Sequence, residues 1–187
     1  MTNKIIVYCI TLFLLLLSGC SPAEKTVHEK NGLYPGYDSL AELCDSAAVI
    51  VHGTVCDIGE TWLYDADRSD GREPMHAYTP YELDVIEFYM GDTGENNYTW
   101  LRTGGETRTD IYKSVEPEFE LNTEVIFFCN EYGCANPYFG IYEVVDGMVR
   151  VRTEWFPEVE PIEEDSGYGE MPLADFREAI LDTLANE

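Results

Sequence analysis

The chain has 187 residues and a formal net charge of −25 at pH 7, from 36 acidic and 11 basic side chains. This balance excludes a nucleic-acid-binding function, because such affinity comes from Lys and Arg neutralising phosphates, and it predicts repulsion from anionic lipid headgroups. The 13 Tyr residues nevertheless predict a folded, strand-rich domain and not an acidic disordered chain.

The chain begins with the features of an export signal. Lys4 is followed by an apolar run at 5–17, about 13 residues that suit a signal peptide and are too few for the roughly 20 that span a bilayer. Leu17–Cys20 (leucine, serine, glycine, cysteine) resembles the lipobox of bacterial lipoproteins. That resemblance implies cleavage between Gly19 and Cys20 and a diacylglyceryl group on the Cys20 thiol. Fatty acyl chains such as palmitate would then anchor the mature protein on the extracytoplasmic side of the bacterial cell membrane.

After the signal peptide at 1–19, a tether and one domain are predicted. Proline and glycine punctuate residues 20–37, which favours a flexible, lipid-anchored tether. Residues 38–187 have the size of a single domain. Its first element is predicted to be a short helix that ends near Ser46, because Ser39 and Glu42 have the spacing of a capping box.

Six segments have the composition and alternation of strands, which together predict a small closed or nearly closed antiparallel barrel. The longest β-branched run, Ala47 to Ile58, contains Gly53, which indicates a bulge or a bend. The other five are Tyr78 to Met90, Asn97 to Thr103, Glu124 to Cys129, Tyr138 to Val145 and Met148 to Thr153. Residues 60–77 are predicted to be a polar loop, and Asp146–Gly147 is a hairpin-turn signal.

The C-terminal part is predicted to contain an acidic irregular segment at 154–170 and an amphipathic helix at 172–185. Acidic runs such as the first are usually solvated. The helix has an apolar stripe at helical spacing, made of Leu173, Phe176, Ile180, Leu181 and Leu184. We expect this stripe to be buried against the domain itself, because a helix commonly covers the open end of a barrel.

Four cysteines follow Cys20 in the mature chain. Cys129 and Cys134 flank a four-residue loop, so a disulfide across this hairpin end is expected in an exported protein. Cys44 and Cys56 would then pair by elimination. Four free thiols are the alternative, and the cysteine spacings do not match those of a zinc ribbon.

The strand order resembles that of the netrin-like barrels, the family that includes the tissue inhibitors of metalloproteinases. The residues that carry the resemblance are the strand 47–55, the turn Met90–Gly91 and the segment 122–128. Across roughly 39–153 the resemblance implies an OB-like barrel of five or six antiparallel strands. The inhibitory site of that family does not carry over, because its free N-terminal cysteine corresponds here to a cysteine expected to be lipidated and separated from the barrel by a tether.

Candidate catalytic and metal-binding residues are sparse. Residues 65–73 resemble a calcium loop, but Gly71 stands at the seventh position and an EF-hand requires glycine at the sixth. His28, His52 and His76 lie far apart in sequence, and none belongs to a recognised catalytic motif. No metal or cofactor is therefore expected beyond the covalent diacylglycerol on Cys20.

The sequence predicts a non-catalytic, membrane-anchored surface lipoprotein that binds a protein or a cell-wall component. Trp62, Trp100 and Trp155 are expected in the core or at the barrel mouth, where an exposed Trp could anchor a ligand. Two alternatives remain open: an enzyme with dispersed catalytic residues, and a calcium-dependent module that uses loop 65–73.

Overall fold

The structure, a computed structural model, describes residues 25–29, 36–64, 76–163 and 167–186. The predicted signal peptide, Cys20 and loop 65–73, the alternative calcium site, lie outside these ranges. Neither helix within them has the length and hydropathy needed to cross a bilayer.

Strands make up most of the regular structure, with one helix near each end of the described chain. The strands are β1 (Thr26–Glu29), β2 (Val49–Ile58), β3 (Trp62–Tyr64), β4 (His76–Met90), β5 (Asn97–Thr103), β6 (Gly105–Glu106), β7 (Asp110–Lys113), β8 (Glu124–Cys129), β9 (Ile141–Val145), β10 (Met148–Arg152) and β11 (Tyr168–Pro172). The helices are α1 (Leu40–Ser46) and α2 (Leu173–Ala185). The predicted mainly β class and both predicted helices are thus confirmed.

The larger sheet has the strand order β11-β10-β9-β8-β2-β4-β3, and β5 also pairs with β4. All of its pairs are antiparallel. Strands β2 and β8 lie at its centre, and nearly every residue of β8 is buried. A strand covered on both faces needs apolar residues at successive positions, which explains the continuous run Val125–Phe128.

Two cores lie on opposite faces of this sheet. One face holds α1 and α2, and its core includes Leu43, Phe128 and Phe176. The other core is centred on Trp100, whose ring stacks on Phe127 at 4.3 Å between centroids. Successive residues of β8 alternate between the two cores, as the pleat of a strand requires.

The turns and bulges follow from local sequence. The register between β2 and β4 shifts at three points, one of them between His52 and Gly53, which confirms the predicted bulge. A Cβ at Gly53 would lie 2.8 Å from the Asp84 carbonyl oxygen, so the two strands approach closely only because this residue has no side chain. Asp146 and Gly147 both have positive φ, as a tight hairpin turn needs.

A second, smaller sheet of order β1-β7-β6 corrects the prediction of a wholly flexible tether at 20–37. Strand β1 pairs in parallel with β7, from Thr26 opposite Asp110 to Glu29 opposite Lys113. A tether prediction based on local composition missed this strand, because its pairing partner lies more than 80 residues further along the chain.

Closure of the predicted closed or nearly closed OB-like barrel is not confirmed, since the larger sheet is open and its path ends at β11 and β3. The loop after β8 returns to β5 through one backbone hydrogen bond, from Leu101 N to Gly133 O at 2.9 Å. Within the larger sheet, strands β3 and β11 were not predicted, and both begin in segments predicted to be irregular. Both form as edges, where a strand needs only one neighbour and few residues.

Candidate functional site

An exposed group of rings lies at the β3 edge of the larger sheet. We call Trp62, Tyr64, His76, Tyr78 and Tyr132 the aromatic patch. Side chains at alternate positions of a strand share a face, and the register sets Trp62 opposite Tyr78 and Tyr64 opposite His76. The ring centroids of Trp62 and Tyr78 are 5.3 Å apart, and those of Trp62 and Tyr64 are 6.3 Å apart. Four rings therefore form one continuous surface.

The exposure of this surface is unusual for such large side chains. Trp62 is 41% exposed, Tyr64 49% and Tyr132 71%. Soluble domains rarely expose contiguous apolar groups of this kind, and where they do the patch commonly marks an interaction site. Trp and Tyr combine a large apolar ring with a hydrogen-bonding polar atom, which suits contact with a partner surface that has both apolar and hydrated parts.

Tyr132 joins the patch from the loop that follows β8. Asn130 shapes this loop, since its Oδ1 accepts hydrogen bonds from Tyr132 N at 2.9 Å and Cys134 N at 3.2 Å. The pKa of Tyr132 is raised above its usual value, first by its hydrogen bond to Glu131 and also by the nearby Tyr64. The loop lies against β5 through the hydrogen bond from Leu101 N to Gly133 O, and β5 pairs with β4 at Tyr78, although Tyr132 lies 68 positions after Tyr64 in the sequence.

A hydrogen-bonded layer supports the patch from one end. Thr61 directly precedes Trp62, and its Oγ1 lies 2.8 Å from Thr79 Oγ1 and 3.1 Å from the Glu106 N that donates to it. Thr79 Oγ1 in turn donates to the Gly104 carbonyl oxygen at 2.8 Å. Gly105 has a φ of +135°, and a Cβ there would come within 2.2 Å of Thr79 Oγ1. The start of the patch is thereby fixed to β6 of the smaller sheet.

No family model, no curated protein and no solved structure matches this chain.

A second polar cluster surrounds His52, which is 5% exposed. Its Nε2 lies 2.7 Å from Glu124 Oε1, and the Tyr89 hydroxyl lies 3.3 Å from its Nδ1. Burial raises the pKa of Tyr89 to about 12, so the phenol keeps its proton. A tyrosine with a raised pKa is a poor nucleophile. The cluster instead connects three strands of the sheet, β2, β4 and β8.

Glu116 is the most deeply buried carboxyl group described, at 3% exposure. Its Oε2 accepts a hydrogen bond from Thr103 N at 2.7 Å, and its Oε1 accepts one from Thr103 Oγ1 at 2.8 Å. Arg102 lies alongside and donates to the carbonyl oxygens of Glu116 and Pro117. Burial raises the pKa of Glu116 to about 7 against the opposing effect of these contacts. This group holds the segment after β7 against β5.

The predicted disulfides are absent from the structure, because no two of Cys44, Cys56, Cys129 and Cys134 lie at disulfide distance from each other. Cys44 is buried among the core residues beneath α2, whereas Cys56 is exposed near the far end of β2. Cys129 pairs with Ala135 in an isolated antiparallel bridge. Because successive residues point to opposite faces, Cys134 lies on the face opposite to Cys129. Cys44 lies on α1 and Cys56 near the end of β2, so most of the length of β2 separates the two thiols.

The remaining predicted site residues do not converge. His28 lies in the smaller sheet 2.9 Å from Asp110, His52 in the centre of the larger sheet and His76 in the aromatic patch. Within the ranges that the structure describes, no three His, Cys, Asp or Glu side chains are grouped so that they could hold a metal ion. Of the three Trp residues, Trp62 is the exposed one, while Trp100 lies in the core as expected.

Sequence reasoning missed the aromatic patch as a site. Residues 60–77 were predicted to be a polar loop, although Thr61-Trp62-Leu63-Tyr64 is a short run rich in residues that favour strands. That local signal could have predicted a strand with two rings on one face. Nothing local could have predicted Tyr132 beside them, because the fold brings it from a distant hairpin loop.

Proposed function

We propose that this chain is a lipid-anchored surface protein on the extracytoplasmic side of a bacterial membrane, and that its domain is a non-catalytic binding module for a component of the cell envelope. The lipobox-like Leu17–Cys20 supports the anchor. The exposure of Trp62, Tyr64 and Tyr132 supports binding through the aromatic patch, and this is the observation on which the proposal depends.

The chemistry of the described polar clusters favours binding over catalysis. His52 and Tyr89 are buried, and Glu116 is enclosed by the backbone and Thr103. A reacting group must reach its substrate within hydrogen-bond distance, which these enclosed groups do not offer. The aromatic patch, in contrast, presents a wide surface and no activated nucleophile.

Site-specific photocrosslinking in intact cells tests this function. A benzophenone amino acid in place of Tyr132 should give a crosslinked product, because this ring lies on the proposed binding surface. The matched control places the same amino acid at Ile162, which is 48% exposed near β11 at the opposite edge of the sheet. Equal crosslinking at both positions, or none at Tyr132, would show that the aromatic patch is not the binding surface.

A further inference from the structure

We propose that the aromatic patch docks onto the membrane that holds the lipid anchor, with its rings at the level of the lipid headgroups. This inference rests on the proposed function and names the partner of the same surface. It depends on three observations. These are the short distance along the chain from Cys20 to β1, the contact between the smaller sheet and the patch, and the pairing of lysines with carboxylates in the smaller sheet.

Chain length places the smaller sheet close to the anchor. Cys20 and Lys25 are five residues apart, which spans at most about 18 Å even when fully extended. A tether as long as residues 20–37 would allow more than three times this distance. Because β1 pairs with β7 over four residues, the first part of the expected tether belongs to the domain. The lipid would therefore hold the smaller sheet within about 18 Å of the bilayer surface.

The patch begins where the smaller sheet ends. Glu106 of β6 donates its backbone N–H to Thr61, the residue before Trp62. The smaller sheet, with the order β1-β7-β6, therefore connects the strand nearest to the anchor with the residue that precedes the patch. Two further apolar side chains are exposed in this part of the molecule, Val27 on β1 and Val115 shortly after β7. Exposed apolar side chains therefore lie beside the smaller sheet as well as in the aromatic patch.

In the smaller sheet of this strongly acidic protein, two lysines are paired with two of the three carboxylates. Lys25 forms an ion pair with Glu106 at 2.5 Å, and Lys113 pairs with Glu29. His28 contacts Asp110 across β1 and β7. Pairing of opposite charges lowers the repulsion that this sheet would exert on a phosphate-rich surface, compared with a protein whose net charge is −25. Trp and Tyr rings are enriched at membrane interfaces because one part of each ring is apolar and another part is polar.

Tryptophan quenching by brominated lipid tests the contact. The full-length lipidated protein is reconstituted into vesicles of phosphatidylcholine, with and without bromine on the acyl chains near the headgroup. We expect the brominated vesicles to quench tryptophan emission of the native protein and of Trp155→Phe. Quenching by the brominated lipid should disappear in Trp62→Phe. This variant keeps an aromatic ring and removes the only exposed Trp fluorophore of the described chain.

Mass spectrometry of each vesicle sample separates the two ways in which this test could fail. Protein that carries its acyl chains but shows equal emission in both kinds of vesicle would overturn the membrane contact and leave the proposed anchor intact. Protein that lacks acyl chains after expression in a bacterial host would overturn the anchor and, with it, the proposed function. Quenching that persists in Trp62→Phe would assign the contact to another face and also overturn the inference.

Discussion

Arg177 on α2 holds Glu87 on β4 through two parallel contacts, from Nε to Oε2 at 2.7 Å and from Nη2 to Oε1 at 2.5 Å. The Arg177 guanidinium lowers the pKa of the Glu87 carboxyl below its usual range. The pair lies at the rim of the interface between α2 and the sheet, while Phe176, the neighbouring residue, is fully buried beneath it. An apolar anchor and a polar rim thus fix the same helix.

The apolar anchor is expected to carry most of the stability of this interface. Phe176→Ala should lower the free energy of unfolding by roughly 3–5 kcal/mol, because its ring packs against Tyr142 at 4.8 Å and Phe156 at 6.0 Å between centroids. Thermal and urea denaturation of the purified protein measure this loss. Arg177→Ala is the matched control on the adjacent position and should cost far less, since both partners of its ion pair reach solvent. Equal losses in the two variants would contradict the burial of Phe176.

Glu116 should make stability depend on pH between its unfolded and folded pKa values. Its pKa rises from 4.5 in the unfolded chain to about 7 in the folded protein. The folded state then keeps a proton that the unfolded state has lost, so the contribution is fully present below pH 4.5 and is lost as the pH rises towards 7. The Glu116→Gln variant cannot titrate, and the native protein should lose stability relative to it across this window, by about 3 kcal/mol at most.

Urea denaturation of both proteins at a series of pH values checks this difference. Comparison with Glu116→Gln removes the effect of the other acidic groups, which titrate alike in the two proteins. A constant difference in unfolding free energy from pH 4.5 to pH 7 would show that the pKa of Glu116 is not raised.

The thiols should differ in reactivity according to burial. Cys56 is exposed and should react first with an alkylating reagent in the native protein. Burial raises the pKa of Cys129 to about 12, and Cys44 is also buried, so both should react only after unfolding. Mass spectrometry of non-reduced peptides gives the order of labelling. A linked Cys129–Cys134 peptide would contradict the free thiols of the structure and restore the disulfide expected from the sequence.

The lipid anchor is the prediction that the sequence carries alone. Cys20→Ala removes the thiol to which a diacylglyceryl group would attach, so the protein should no longer incorporate a fatty-acid analogue in metabolic labelling. The precursor should also keep its signal peptide and run larger on a gel. Cys56→Ala is the matched control, because it removes an exposed thiol elsewhere and should leave labelling unchanged. Undiminished labelling of Cys20→Ala would refute the lipobox.

Sequence by itself determined the elements whose signals are local. The capping box at Ser39 predicted α1, and the structure has Ser39 Oγ accepting from Glu42 N at 3.2 Å. The apolar stripe around Phe176 predicted α2, because burial of one helix face imposes a period that is visible within a few turns. Strand β8 was predicted with its observed limits, since burial on both faces demands a continuous apolar run.

Tertiary structure alone decided the arrangement at the edges. The pairing of β1 with β7 and the position of Tyr132 beside Tyr64 join residues from distant parts of the chain. The short strands that meet there bury little apolar surface, so their residues carry no strong period, and their conformation is set by the neighbour with which they exchange hydrogen bonds. Core elements can be predicted from local sequence patterns, because buried positions must be apolar. The aromatic patch forms only because the fold brings separate segments to one edge.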